Sequence, residues 1–152
     1  MSIIGSGVNL PELSCMAAIK MYKTVVLPRA LYGVELWHKI TQADLSKLEV
    51  AHRFCIKIIQ SFPKRTSSLI AESMADCQSI ETYIDKKKLM FLGRLCRLRH
   101  NRLAKTVLLE RMFQREVQSM ASIGFVSDAC RILSKYSLLP LCRYVYVSNN
   151  IS

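Results

Sequence analysis

Phosphoryl and nucleotidyl transfer need carboxylates that converge within about 4 Å of paired cations, so the acids of this chain come first. Its 152 residues contain eleven aspartates and glutamates, scattered singly along the sequence. The one close helical pair is Glu81 with Asp85, one turn apart. Both fall in the opening turns of a capped helix, where negative charge offsets the helix dipole and pairs with nearby lysines. A structural role is therefore expected for them, and no catalytic residue is assigned. His52 and Cys55 also stand one turn apart and could in principle ligate a metal with Cys77 or Cys96. Both lie on an apolar stripe and lack the paired close spacings of zinc sites, so a core histidine and a buried thiol are expected. His38 and His100 have no evident partners for acid–base work. No glycine-rich phosphate loop occurs, and no cofactor is expected.

The cations are patterned differently. Between Asp85 and Glu110 there is no acid, and the run holds Lys86, Lys87, Lys88, Arg94, Arg97, Arg99, Arg102 and Lys105. Within Ser79–Lys105, Ile80, Ile84, Phe91, Leu95 and Leu98 share one face of a helix, and Ser79 suits its N-cap. Tyr83, Lys86, Lys87, Met90, Arg94 and Arg97 form a second stripe, placed on a flank of the first as in the wall of a groove. A charge run is most often a solvated helix face. The missing acids and the flanking position favour contacts with phosphates instead. Arg53, Lys57, Lys64 and Arg65 are expected to help, and nothing in the pattern reads bases, so recognition should follow shape and charge.

A net charge of +11 and a pI near 9.6 point to an anionic partner, nucleic acid before an acidic membrane surface. Hydrophobic content of 51% with a mean hydropathy of +0.18 is high for so basic a chain, which suggests apolar surface that packs on something outside it. The six cysteines show neither zinc spacing nor a secreted disulfide framework and read as reduced thiols. No segment reaches the roughly 18 apolar residues of a membrane span, and no secretory leader is visible. An intracellular location, nucleus or cytoplasm, is expected.

The elements that must position these residues read as an all-α bundle of about six helices in a single helical region, with a short irregular or β-like C-terminal tail. Residues 1–9 read as loop. Asn9 can cap a first helix that breaks or kinks at Pro28. RALYGVELW reads as a turn-prone piece in which Gly33 allows a tight approach or a positive φ and Leu31, Leu36 and Trp37 supply core bulk. Thr41 with Asp44 forms a near capping box for a helix ending before Pro63, with Leu45, Leu48, His52, Cys55, Ile56 and Ile59 on its inner face and Arg53, Lys57 and Gln60 on the other. A short helix LIAESMA follows caps at Thr66 to Ser68. After the basic helix, Asn101 is a candidate cap for RLAKTVLLERMFQREV, with Leu108, Met112 and Val117 on one side. Gly124 interrupts the chain, Ser127 can cap DACRILSKYSL, Pro140 ends it, and YVYV reads as a short strand.

The strings VVLPRALYGVELW, LEVAHRFCIKIIQSFPKRT and SIETYIDKKKLMFLGRL, in that order, resemble the region just after the catalytic palm in reverse transcriptases of non-LTR (LINE-type) retrotransposons. GFVSDACRILSKYSL resembles the helical segment that follows. The likeness covers most of residues 8–146. It implies a thumb-like part over 8–78 and a basic helix with post-thumb helices over 79–146, which together grip an RNA template and DNA primer, or an RNA/DNA hybrid, while a palm absent from this chain does the chemistry. The palm's aspartate motif does not occur here, so the resemblance implies a non-catalytic fragment. A rival from another class is a helical protein-interaction module whose charge serves solubility. A basic helix lying on a membrane is less favoured, because the charged flank lacks a broad opposed apolar face.

Overall fold

The computed structural model describes residues 14–37, 40–99, 101–118, 124–141 and 143, without the side chains of 115–118. The expected cap at Asn9, the histidines His38 and His100, and the YVYV strand lie outside the described residues. Helix α1 (Cys15–Met21) starts on Ser14, whose Oγ accepts the Ala17 N–H at 3.2 Å. It does not end ahead of Pro28. It widens into a π-helical turn over Tyr22–Val26 and resumes as α2 (Leu27–Ala30), with proline in the first turn of the resumed segment. Leu27 N–H reaches the Tyr22 carbonyl, five residues back. The widened turn gives the proline ring space where an ordinary helical turn would clash with it.

Gly33 then takes φ 70°, the left-handed one of its two expected uses, and no neighbour approaches it closely. A single 3₁₀ turn, Val34–Leu36, follows. Leu31 is buried as expected, but Leu36 and Trp37 are exposed, and Val34 is the residue that this turn buries completely. In so tight a turn the three side chains radiate, and only one can point inward.

Helix α3 (Gln42–Ile59) begins on Thr41. The Thr41 hydroxyl accepts the Asp44 N–H at 3.1 Å and donates to the Asp44 carboxylate at 2.6 Å, the reciprocal geometry of a capping box with a shortened acid. This hydrogen bond holds the Asp44 carboxyl below its usual range. Helix α4 (Ser68–Met74) follows the turn carrying Lys64 and Arg65, with Ser67 in the cap position. Next come α5 (Ile80–Cys96), α6 (Leu103–Gln118) and α7 (Phe125–Lys135). With α1, the π turn and α2 taken as one rod, these make six helices, and no strand occurs among the described residues. None of the described helices is long and apolar enough to cross a membrane.

The chain divides into two compact units, one formed by Met1–Tyr32 and Thr41–Tyr83, the other by Gly33–Ile40 and Ile84–Ser152. In the first, α1 and α4 pack against α3, and Ala18, Ile19, Tyr22, Leu27, Ile56, Ala71 and Ala75 are buried. The inner face of α3 is the expected one, with His52 and Ile56 deepest and Leu45, Leu48, Cys55 and Ile59 half-buried. In the second, Leu92 and Cys96 of α5, Leu108 of α6, and Val126, Ala129 and Leu133 of α7 form one cluster. Phe91 meets Phe125 edge-on, with ring centroids 5.3 Å apart.

Boundaries in the second unit differ from the sequence pattern. α5 stops at Cys96 rather than running on through the basic residues, and Leu98 and Arg102 close turns. Arg102, not Asn101, gives the first carbonyl of α6, accepting from Lys105 and Thr106. α7 starts at Phe125, two residues before Ser127 and with Gly124 at its cap, and ends at Lys135 ahead of Pro140.

Candidate nucleic-acid interface

α5 begins within the first unit. Ser79 Oγ accepts the Thr82 N–H at 3.2 Å, as its cap role requires. A second open donor is met from α3: the Glu49 carboxylate accepts the Glu81 N–H at 3.0 Å, placing negative charge at the positive end of the helix.

From Ile84 onward the helix belongs to the second unit, and its burial overturns part of the expected pattern. The most buried line is the single i+4 row of Ile80, Ile84, Lys88, Leu92 and Cys96, while Phe91, Leu95 and Leu98 are half-buried. The middle of that row is a lysine. Lys88 is 4% exposed, and its Nζ donates to Asp128 Oδ2 of α7 at 2.6 Å. Arg131 lies 3.8 Å from the other Asp128 oxygen. Asp85, also buried, accepts from Lys135 Nζ at 2.7 Å and from the Tyr136 hydroxyl at 3.1 Å. Its role is the structural one expected, although the partner comes from α7 rather than from a neighbouring turn. Lys105 is likewise buried. Two of the eight cations in the acid-free run therefore face inward.

The remaining stripe lies roughly opposite the buried row, not on its flank as the apolar pattern suggested. Lys86, Arg94 and Arg97 are exposed, Lys87 is half-buried, and Met90 stands 49% exposed between the two pairs. Arg97 Nε donates to the Gly93 carbonyl at 3.0 Å, which satisfies one open carbonyl at the helix end. Among the described residues no ion pair engages Lys86, Arg94 or Arg97. The geometry explains this locally, because the Asp85 and Asp128 carboxylates are drawn inward.

The four cations expected to assist belong to the first unit. Arg53 is held by carboxylates, with its Nε 2.8 Å from Glu72 and 3.9 Å from Glu49. The Glu72 hydrogen bond raises the Arg53 pKa further, so this guanidinium acts as a clamp between α3 and α4. Lys57 Nζ donates to the Lys64 carbonyl at 3.3 Å, and Lys64 and Arg65 are exposed in the turn after α3.

His52 sits in the first core at 2% exposure. The Tyr22 hydroxyl and His52 Nδ1 are 2.7 Å apart, and Nε2 faces the Gln78 carbonyl at 3.1 Å. A carbonyl only accepts, so Nε2 carries the proton and Nδ1 accepts from Tyr22. The tyrosine and imidazole rings also stack. Burial lowers the His52 pKa and raises that of Tyr22. With both ring nitrogens committed, His52 is a core histidine. Burial also raises the Cys55, Cys77 and Cys96 thiols. Among the described residues, no group of three or more His, Cys, Asp or Glu side chains is placed to hold a metal ion.

Lys88, Asp128, Lys135 and Glu49 are the positioning residues that the sequence pattern did not single out. Comparison of the chain with family models, with curated proteins and with solved structures finds no match in any of the three.

Proposed function

We propose that this chain is a non-catalytic helical module that binds nucleic-acid phosphates through the outer face of α5. On the resemblance of its sequence, it is the thumb and post-thumb part of a LINE-type reverse transcriptase, and its ligand is a primed template or RNA/DNA hybrid. One observation carries the reading: Lys86, Arg94 and Arg97 stand exposed on the outer face of α5 with no ion pair among the described residues, while the carboxylates of Asp85 and Asp128 are taken up by Lys135 and Lys88. A face that holds cations without their counter-charges attracts polyanions.

The test is fluorescence anisotropy of a labelled RNA/DNA hybrid across a salt series. With about four to six phosphate contacts, log affinity should fall against log salt with a slope of about 4 to 5, and different sequences should bind alike. Replacing Lys86, Lys87, Arg94 and Arg97 together by Gln should flatten the slope by about 3 and leave the circular dichroism unchanged, because none of the four belongs to the buried row of α5 and Gln is a good helix former. A quadruple variant that binds as tightly and with the parental slope would reduce the stripe to a solvated face.

A further inference from the structure

α3 is apolar on two sides. Its inner side delivers His52, Ile56 and Ile59 to the first core. On its outer side Val50, Phe54 and Ile58, at i, i+4 and i+8, form a ridge about 12 Å long, and they are 67%, 50% and 56% exposed. The cations that border this ridge gather at its C-terminal end. Lys57 joins Lys64 and Arg65 there through its hydrogen bond to the Lys64 carbonyl, whereas Lys47, two turns before Phe54, is offset by the Asp44 carboxylate. Among the described acids of the same unit, Glu49 is engaged with the Glu81 N–H, Glu72 with Arg53 and Asp76 with Lys23.

We propose that the outer face of α3 docks an acidic amphipathic helix of another protein. Its apolar side chains, spaced i, i+4, i+8, lie along Val50, Phe54 and Ile58, and its carboxylates meet Lys57, Lys64 and Arg65 at the C-terminal end of the ridge. Helices whose i±4n rows interdigitate pack in this manner, and an apolar stripe with charged borders is how such helices are recognised. Charge decides the occupant. A second copy would bring another +11 against this face, and three partly exposed side chains fall well short of the roughly 800 Å² per partner of a stable interface. An acidic partner adds attraction where apolar area is short.

The probes are two 18-residue helical peptides with the same leucine stripe, one bordered by Glu and the other by Lys, titrated with the full chain by anisotropy. The Glu peptide should bind at least about tenfold more tightly than the Lys peptide. Phe54→Asp should weaken it by about thirtyfold, as for the central anchor of an interface, and Ile58→Gln by about fivefold. The quadruple Gln variant of α5 should bind the Glu peptide like the parent, which separates this surface from the nucleic-acid reading. Absence of binding, equal affinity for both peptides, or parental affinity in either variant overturns the proposal. So does a parent dimer that Phe54→Asp splits in light scattering, because the ridge then belongs to a second copy. Should Phe54→Asp alone unfold the chain, Ile58→Gln decides. If circular dichroism shows both variants unfolded, the ridge is interior and the proposal fails.

Discussion

In the first unit the most deeply buried polar group is a neutral imidazole, held between the Tyr22 hydroxyl and the Gln78 carbonyl. In the second it is a set of charges, Lys88 with Asp128 and Asp85 with Lys135. The neutral arrangement needs little beyond two hydrogen bonds to offset desolvation. The charged one must overcome a far larger loss of hydration, and a well-packed apolar replacement would often be as stable. What the charges add is register. Along α5 the order is acid then base. Along α7 the matching partners occur in reverse chain order, Asp128 before Lys135, so the two helices run antiparallel, and a slipped or parallel pairing would leave charges unmatched. Core polarity in the first unit fixes one ring, whereas in the second it fixes how one helix lies on another.

The largest effect should come from breaking the charged set one partner at a time. Asp128→Ala leaves the Lys88 ammonium buried without its carboxylate and should destabilise the second unit by about 3–5 kcal/mol in urea unfolding followed by circular dichroism. Lys88→Met combined with Asp128→Leu should return stability close to the parent while blunting near-ultraviolet signals of fixed packing. A loss under about 1 kcal/mol for Asp128→Ala would mean that the ammonium reaches water and that no register device exists. In the first unit, Tyr22→Phe removes the donor to His52 Nδ1 and should cost about 1–3 kcal/mol, the penalty for one buried acceptor left open.

A gentler probe of the same contrast is acid. The His52 pKa in the fold lies below its ordinary 6.5 because of burial, so the unfolded chain takes up the proton first. Stability attributable to His52 is therefore intact above that ordinary value and declines as pH falls from 6.5 toward the lowered folded pKa. His52→Gln, which can still donate to the Gln78 carbonyl, should remove that decline from a pH series of urea midpoints. A variant that keeps the parental slope would place the titration elsewhere.

How much of this was legible in the sequence divides along the same line. Ser79, Thr41 with Asp44, the inner face of α3 and the left-handed Gly33 could be read because each depends on neighbours within a few residues. The fate of His52 followed from its place on an apolar stripe. Lys88 could not be read, since its partner Asp128 lies forty residues away and helical spacing alone files a lysine with the charged face. Counting Lys88 as polar shifted the inferred inner face of α5 toward Phe91 and Leu95, which is why the basic stripe looked like a flank instead of the far side. The outer ridge of α3 escaped for the opposite reason: Val50, Phe54 and Ile58 look like core until a second apolar face is seen to hold that position. At the interface itself, Lys86, Arg94 and Arg97 were legible as exposed cations, and the clamp that occupies Arg53 was not.

The π turn ahead of Pro28 has a rotational consequence. In an unbroken α-helix, Tyr22 and Leu27 would be about 140° apart around the axis, and a rod that buried one would turn the other toward water. Closing a turn over five residues instead of four brings Leu27, and with it Leu31, back toward the side that carries Ile19 and Tyr22, and all four are buried. The widened turn therefore acts as a phase correction of one residue. Deleting Thr24 together with Pro28→Ala, which returns the missing N–H, would restore ordinary helical hydrogen bonding and preserve that alignment, whereas any change that tightened the turn without removing a residue would swing the end of the rod out of the core.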